Sequence, residues 1–368
     1  MKSTVLYIDD EIRELTKYKR KFNEHGINII TLATSDYLNV NWGDIDKFDG
    51  ILVDFDLHKP IDGDILNING ITLITELRQT NPHIPIVIFT KMDIFNISKD
   101  KNLTETYSSI DQIFHKLKLF KIEDNQFLND LLDLIDGYKI INNIAKKNSL
   151  VEVFKILECP KEDEKIIEKI IPPEILSYNS NFFTHKLAKF LRSSFLNYPG
   201  ILYDSIHLSS FLGINQNDFL TKELLSFFSP AEYTGAFSSK KKLWWKSKIE
   251  SLIFKQMNND EIKTPLYQTF QKFWKRFSGL ELEHNRCNSS LQVTDDICIM
   301  SPVDKVCYLM QEPVARSHSI QYYPDSRSLF FESARVSFKA IRESDDVNIN
   351  YLDDIGKKMY RELREYRE

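Results

Sequence analysis

The first 120 or so residues predict an α/β fold with a doubly wound parallel sheet, on three observations. Short β-branched-rich runs alternate with segments of helical period, the runs do not alternate with polar residues, and four of the five carry a polar or charged side chain at the carboxyl end. The strands expected are "TVLYI" (4–8), "INIITLA" (27–33), "GILVDF" (50–55), "PIVIFT" (85–90) and "QIFHKL" (112–117). Their near-continuous apolarity is what burial on both faces of a parallel sheet requires. "EIRELTKYKRKFNEH" (11–25) and "GITLITELRQT" (70–80) carry helical spacing, and Gly26 stands where a helix commonly stops. Strands alternating with helices give βαβ units and hence a five-stranded parallel sheet.

Beyond residue 121 the rhythm changes. "QFLNDLLDLIDGYKIINNIAKK" (126–147) predicts one long amphipathic helix with Gly137 as its weak point. Helical patterns continue to about 280, broken at "IPPEI" (171–175) and "YPG" (198–200). Shorter segments of mixed type follow, and the chain closes on a charged helix with i,i+4 acid–base pairs. The domains expected are 1–121, a mainly helical 122–280, and an α+β region 281–368, the last either separate or one domain with the preceding region.

Composition narrows the function. A net charge of −5 and an apolar content of 42% exclude a globally basic nucleic-acid binder and a disordered chain, though not a local basic face. No apolar run approaches a membrane span, and "MKSTVLYIDDE" reaches carboxylates too soon for a signal-peptide core. Cys159, Cys287, Cys298 and Cys307 are sparse and irregularly spaced, which fits free thiols in a reducing cytoplasm.

The strand ends carry the chemistry. Asp9 and Asp10 end the first expected strand, Asp54 the third, Thr90 the fourth, and Lys116 lies at the end of the fifth. In an open parallel sheet ligands collect outside the carboxyl ends of the strands, so all five project to one edge. Three converging carboxylates repel unless a hard divalent cation neutralises them, and an oxygen-lined site of this kind suits magnesium. A lysine and a hydroxyl complete what a phosphoryl group needs, and an Asp can itself be the nucleophile, forming an acyl phosphate.

This set resembles the receiver domain of two-component signalling over residues 1 to about 121: an acidic pair (Asp9, Asp10), a phosphoacceptor with a leucine three residues on (Asp54, Leu57), a hydroxyl (Thr90) and a lysine (Lys116), in order and in register. The resemblance implies a flavodoxin-like receiver in which Asp54 accepts a phosphoryl group and Thr90 and Lys116 bind it. It implies Mg2+ held by Asp9, Asp10, Asp54 and the backbone carbonyl of Asp56. The implied partners are a histidine kinase or phosphotransfer protein and a downstream effector protein. The only chemistry implied is the receiver's own phosphorylation and dephosphorylation, in a cytoplasmic phosphoprotein. Three departures stand out: the loop 58–70 is long, with Asp62 and Asp64 in it; Leu117 replaces the usual proline; and Ile113 replaces the usual aromatic switch residue.

The remaining residues match no output domain, and the leading expectation is an interaction or regulatory module, including a phosphate sink in a defence-type phosphorelay. The alternative is an enzymatic or nucleic-acid-binding output. "SIHLSSFLGINQNDFLTKELLSFF" (205–228) has a helix-turn-helix look, but its second segment lacks the basic residues DNA reading needs. Residues 240–276 hold ten Lys or Arg against three acids, interleaved with Trp244, Trp245, Phe270, Phe273 and Trp274. These fit either a stacking surface for single strands or, as the helical stripe Phe270–Phe273–Trp274–Phe277 favours, an amphipathic core. His284, Cys287, Cys298 and Cys307 could ligate zinc, but the spacing favours buried free cysteine. Arg316, His318, Arg327 and Arg335 form a candidate anion site, weighed against an arginine–carboxylate network.

Overall fold

The computed structural model describes residues 2–9, 15–33, 45, 47–55, 57, 70–91, 108–117, 125–145, 147–177, 182–197, 200–257, 266–283, 307, 309, 319–322 and 335–365. They fall into two compact units, the first built from Met1–Glu158, Ile171–Ser194 and Gly235–Lys240.

The first unit is an α/β body on a five-stranded sheet. Its strands are β1 (Ser3–Asp9), β2 (Ile27–Ala33), β3 (Gly50–Val53), β4 (Ile86–Thr90) and β5 (Gln112–His115), in the order β2-β1-β3-β4-β5. All four pairings are parallel. This is the flavodoxin-like doubly wound order, in which the chain reverses direction across the sheet between β1 and β3. Strands β3 and β4 are buried throughout, as the unbroken apolar runs require.

Alternation along the strands divides the core in two. Leu6, Ile8, Ile51, Val53, Ile86 and Ile88 pack on one face with Leu73, Ile74 and Leu77 of α2 (Gly70–Thr80). On the other face Phe89 meets Tyr7 and also Tyr18 and Phe22 of α1 (Leu15–Glu24). Phe127 of α3 (Gln126–Ile144) stacks on Phe89 with centroids 5.2 Å apart and meets Phe114 edge-on at 4.4 Å. Helix α3 is therefore part of the body: Leu128, Leu131, Leu134, Ile135, Tyr138 and Ile141 are all buried at helical spacing.

Helices α4 (Leu150–Leu157) and α5 (Phe183–Phe190) belong to the same unit. The Ser149 hydroxyl caps α4 by accepting from the Glu152 N–H. Helix α5 runs into a π-helical turn at Leu191–Phe195. The segment Gly235–Lys240 returns to this body, where the Ala236 N–H donates to the Ile156 carbonyl. Gly137 does not break α3. It makes room for a neighbour, because a Cβ there would lie 2.1 Å from the ring of Phe237.

The second unit, Cys159–Ile170, Phe195–Thr234 and Lys241–Glu368, is helix-rich. One of its clusters gathers Trp244, Phe270, Phe273 and Trp274 with Phe219 and Phe228. Trp245 is fully buried too, so five rings of the basic segment 240–276 are core, while Phe277 is half exposed against Phe227 and Phe273. A second cluster sits around an antiparallel pair, Ser319–Gln321 with Arg335–Ser337, and the helices Phe338–Glu343 and Asp354–Glu365. No described helix is long and apolar enough to cross a membrane.

Gly137→Ala would normally favour a helix by about 1 kcal/mol. Here the methyl must displace an aromatic ring, and overpacking of this kind costs about 1–3 kcal/mol. Thermal unfolding of the variant should begin several degrees lower. An unchanged or raised melting temperature would show that Phe237 does not seat on α3.

Candidate functional site

The strand order brings the strand-end residues together at the point of chain reversal. Asp9 is the last residue of β1, and Asp54 follows β3, with its N–H extending the ladder to the Ile8 carbonyl. Thr90 ends β4 beside His115, and Lys116 follows β5. Asp9, Asp54, Thr90 and Lys116 are all buried. The Lys116 ammonium reaches Asp9 Oδ2 at 2.8 Å and Asp54 Oδ2 at 2.5 Å. Asp10 and Asp56 lie outside the described residues, as do Asp62 and Asp64.

Glycine at the start of α2 lets that helix abut the site. A Cβ on Gly70 would lie 2.5 Å from the Asp54 carbonyl and 2.9 Å from that of Phe55. The Phe55 N–H donates to Asp54 Oδ1. Leu57 is buried in the α2-side core, which fixes the chain just past the acid. Leu117 is exposed, and Ile113 packs on that same α2-side core.

Tyr7 is the pocket residue that strand-end reasoning missed. Its hydroxyl donates to Asp9 Oδ2, and its ring lies 5.6 Å below the Lys116 ammonium, which also faces Phe89 at 5.9 Å. The signal was present in "YIDD", since residues two apart on a strand share a face. Burial and the neighbouring Asp9 push the Tyr7 phenol well above its ordinary range, so it remains a donor.

Two buried carboxylates thus share one ammonium. Burial pushes the Asp54 carboxyl up to about 6; Lys116 opposes this shift and Asp9 adds to it. The donor set, two buried carboxylates with excess negative charge, fits a hard divalent cation, since magnesium is commonly held by one or two carboxylates plus phosphate oxygens.

Of the other candidate residues, Arg335 and Cys307 are described. Arg335 donates across the antiparallel pair, from Nε to Ser319 Oγ at 2.8 Å and from Nη2 to the Ser319 carbonyl. Arg316, His318 and Arg327 lie outside the described residues, as do His284, Cys287 and Cys298. Cys307 is buried and its sulfur accepts from the Ser337 N–H.

No protein-family profile and no curated protein matches the sequence. Most of the solved structures similar to it are described as response-regulator receiver domains or proteins, and one as an adenylate cyclase of Rhodopirellula baltica. A receiver-domain protein of Clostridium thermocellum is 15% identical, covering 38% of this chain and 98% of its own, with a TM-score of 0.30. A two-component response regulator of Clostridium difficile is 23% identical over 36% of this chain and 95% of its own, at 0.26. A response regulator of Thermotoga maritima, solved in complex with Mg2+-BeF, is 16% identical over 36% and 98%, also at 0.26.

A carboxyl whose folded pKa is raised binds its proton more tightly when folded, so stability falls as pH rises through the window from 3.8 to about 6. Above that window the ionised Asp54 carries a penalty on the order of 2–3 kcal/mol. Asp54→Asn should therefore raise the melting temperature in metal-free buffer at pH 7, and the gain should vanish near pH 4. A variant that is less stable at pH 7 would mean that its bonds to Lys116 and Phe55 outweigh the penalty.

Proposed function

We propose that the chain accepts a phosphoryl group on Asp54 and works as a response regulator. The observation that carries this reading is the convergence of Asp9, Asp54 and Lys116 at the chain-reversal point of a β2-β1-β3-β4-β5 sheet. An Asp54 oxygen attacks the phosphorus of a phosphohistidine. The new O–P bond forms as the N–P bond breaks, and the leaving imidazole keeps the electron pair and takes a proton. Lys116, already bonded to Asp54, pairs with a phosphoryl oxygen as charge builds there, and the Thr90 hydroxyl donates to another. Tyr7 holds Asp9 in place from beneath. Asp9, Asp10, Asp54 and the Asp56 carbonyl would hold Mg2+, which when bound neutralises phosphoryl and carboxylate charge. A histidine kinase or phosphotransfer protein is the donor, the setting is the cytoplasm, and the remainder of the chain serves as an interaction or regulatory module, a role that includes phosphate storage.

With Ile113 packed on the α2-side core, the exit of the signal falls to the other face of β5. Phe114 meets Phe127, Phe127 stacks on Phe89, and Phe89 lies under the Lys116 ammonium. Drawing Lys116 toward a phosphate moves a charge over rings that abut the first turn of α3.

Two measurements test this reading. Incubation with a small phosphodonor and magnesium should add one hydroxylamine-labile phosphoryl group, lost in Asp54→Asn and retained in Asp56→Asn. Full labelling of Asp54→Asn sinks the proposal. Phosphorylation should also change amide hydrogen exchange in α3 as well as around Thr90. Change confined to the pocket would leave phosphate storage as the role.

A further inference from the structure

We infer that the cleft along the first three turns of α3 binds an extended aliphatic cation, a diamine or polyamine, with one ammonium bonded to Asp133. The cleft measures about 640 Å3, within the size range of small-molecule sites, and its described lining belongs wholly to the first unit. Asp130, Leu132, Asp133 and Asp136 line it from the helix, and Ser239 and Lys240 from the returning segment. Asp133 is the member that calls for a ligand. Only 3% exposed, it accepts the Ser239 hydroxyl on Oδ1, whereas Oδ2, equally cut off from water, has no hydrogen-bond partner among the described residues. A buried carboxylate oxygen left unbonded is costly, and a donor from outside the chain removes that cost. Burial pushes the Asp133 carboxyl up, with the Ser239 bond, Arg192 and Lys240 opposing, and a bonded ammonium would add to that opposition.

Charge agrees with that vacancy. Three acids of the lining stand against Lys240, and none of the three has an ion-pair partner among the described residues. The adjoining chain does not reverse the balance. Residues 118–124 hold two lysines, Lys118 and Lys121, and two acids, Glu123 and Asp124. After Lys240, Lys241 pairs with Asp204 and Lys242 with Glu232, and past Asp136 on the helix Lys139 pairs with Asp49. Arg192, the other cation that acts on Asp133, donates to the Asp111 carbonyl and to Gln112 Oε1. Spacing sets the shape of the ligand. Acids at i, i+3 and i+6 climb the helix over about 9 Å. No described group of acids is placed to hold a metal ion, and a spread of this length suits two ammonium groups on a flexible chain. Leu132, between two of the acids, offers the intervening methylenes an apolar surface.

None of these residues belongs to the Asp54 pocket, so the site stands or falls apart from the phosphoryl chemistry. The test titrates the full chain by calorimetry, in buffer containing magnesium, with spermidine, putrescine and the monoamine n-butylamine. Spermidine and putrescine should bind saturably at one site per chain, and butylamine roughly tenfold more weakly than putrescine. Asp133→Asn should weaken the diamine roughly tenfold, the loss expected for one charge-assisted hydrogen bond. Lys240→Gln, at an exposed position, should tighten it about threefold, and Asp54→Asn should leave it unchanged. Equal affinity in the wild type and Asp133→Asn, butylamine bound as tightly as putrescine, or binding lost in Asp54→Asn would each overturn the assignment. Should Asp133→Asn lose its native circular dichroism, the Lys240→Gln arm decides, and unchanged affinity there overturns it as well.

Discussion

The first unit depends on one buried carboxylate, Asp111. One oxygen takes the Arg78 guanidinium of α2 at 2.5 Å and the Ile86 N–H that opens β4 at 2.8 Å; the other takes the Tyr138 hydroxyl of α3 at 2.5 Å, with His185 Nδ1 of α5 at 3.2 Å. Burial alone would make such an acid neutral. Arg78 above all, with His185 and Tyr138, reverses that and holds its carboxyl well below the usual range. The group's folded pKa is depressed, so its contribution is present above the ordinary carboxylate pKa and is lost as acid protonates it. Removing Arg78 would leave a buried charge uncompensated, the costly case for ion pairs of this kind. Two helices, two strands and a segment some seventy residues downstream are thereby tied to the first residue before β5.

The opposite end of β5 shows the contrary arrangement. Lys116 is divided between Asp9 and Asp54, and Asp54 is pushed up to about 6 rather than down. Two buried acids, one just before β5 and one bonded to the lysine just after it, thus differ in sign of perturbation, one over-supplied with donors and the other short of positive charge. Structural carboxylates are satisfied by the protein itself, and the deficit left around Lys116 is what the proposed cation and phosphoryl chemistry would draw on. Fixing Asp111 fixes where β5 starts, and four residues of extended chain then carry Lys116 into the pocket.

Much of this was legible in the sequence, and the division has a physical basis. Strand periodicity, and the rule that open parallel sheets bind ligands at their carboxyl edges, located Asp9, Asp54, Thr90 and Lys116 without any contact information. The buried stripe of residues 270–274 followed from helical spacing in the same way. Asp111, Tyr138 and His185 were not legible, because pairing between polar residues dozens of positions apart leaves no mark on local periodicity. Tyr7 was half legible: its face could be read, but not that a hydroxyl would find the carboxylate. Gly137 reads as a flaw in a helix until Phe237, a hundred residues later, is seen to occupy the space a side chain would fill.

These downstream returns change what the sheet's last helix is. In α3 one side packs Phe127 on Phe89 and Phe114, and another meets residues that arrive far later in the chain, Phe237 at Gly137 and His185 at Tyr138. Asn142 adds a further tie, donating to the His83 carbonyl while accepting from the Thr184 hydroxyl. A helix with one apolar stripe can sit at the edge of a self-contained domain, but α3 is held from both sides. Ending the chain before α3 would bare the aromatic face of the sheet. Ending it after α3 would strip His185 from Asp111 and Phe237 from Gly137. The residues from 171 to 194 and from 235 to 240 are therefore structural parts of the α/β body, and a change at Lys116 that moves α3 acts directly on chain far beyond the sheet.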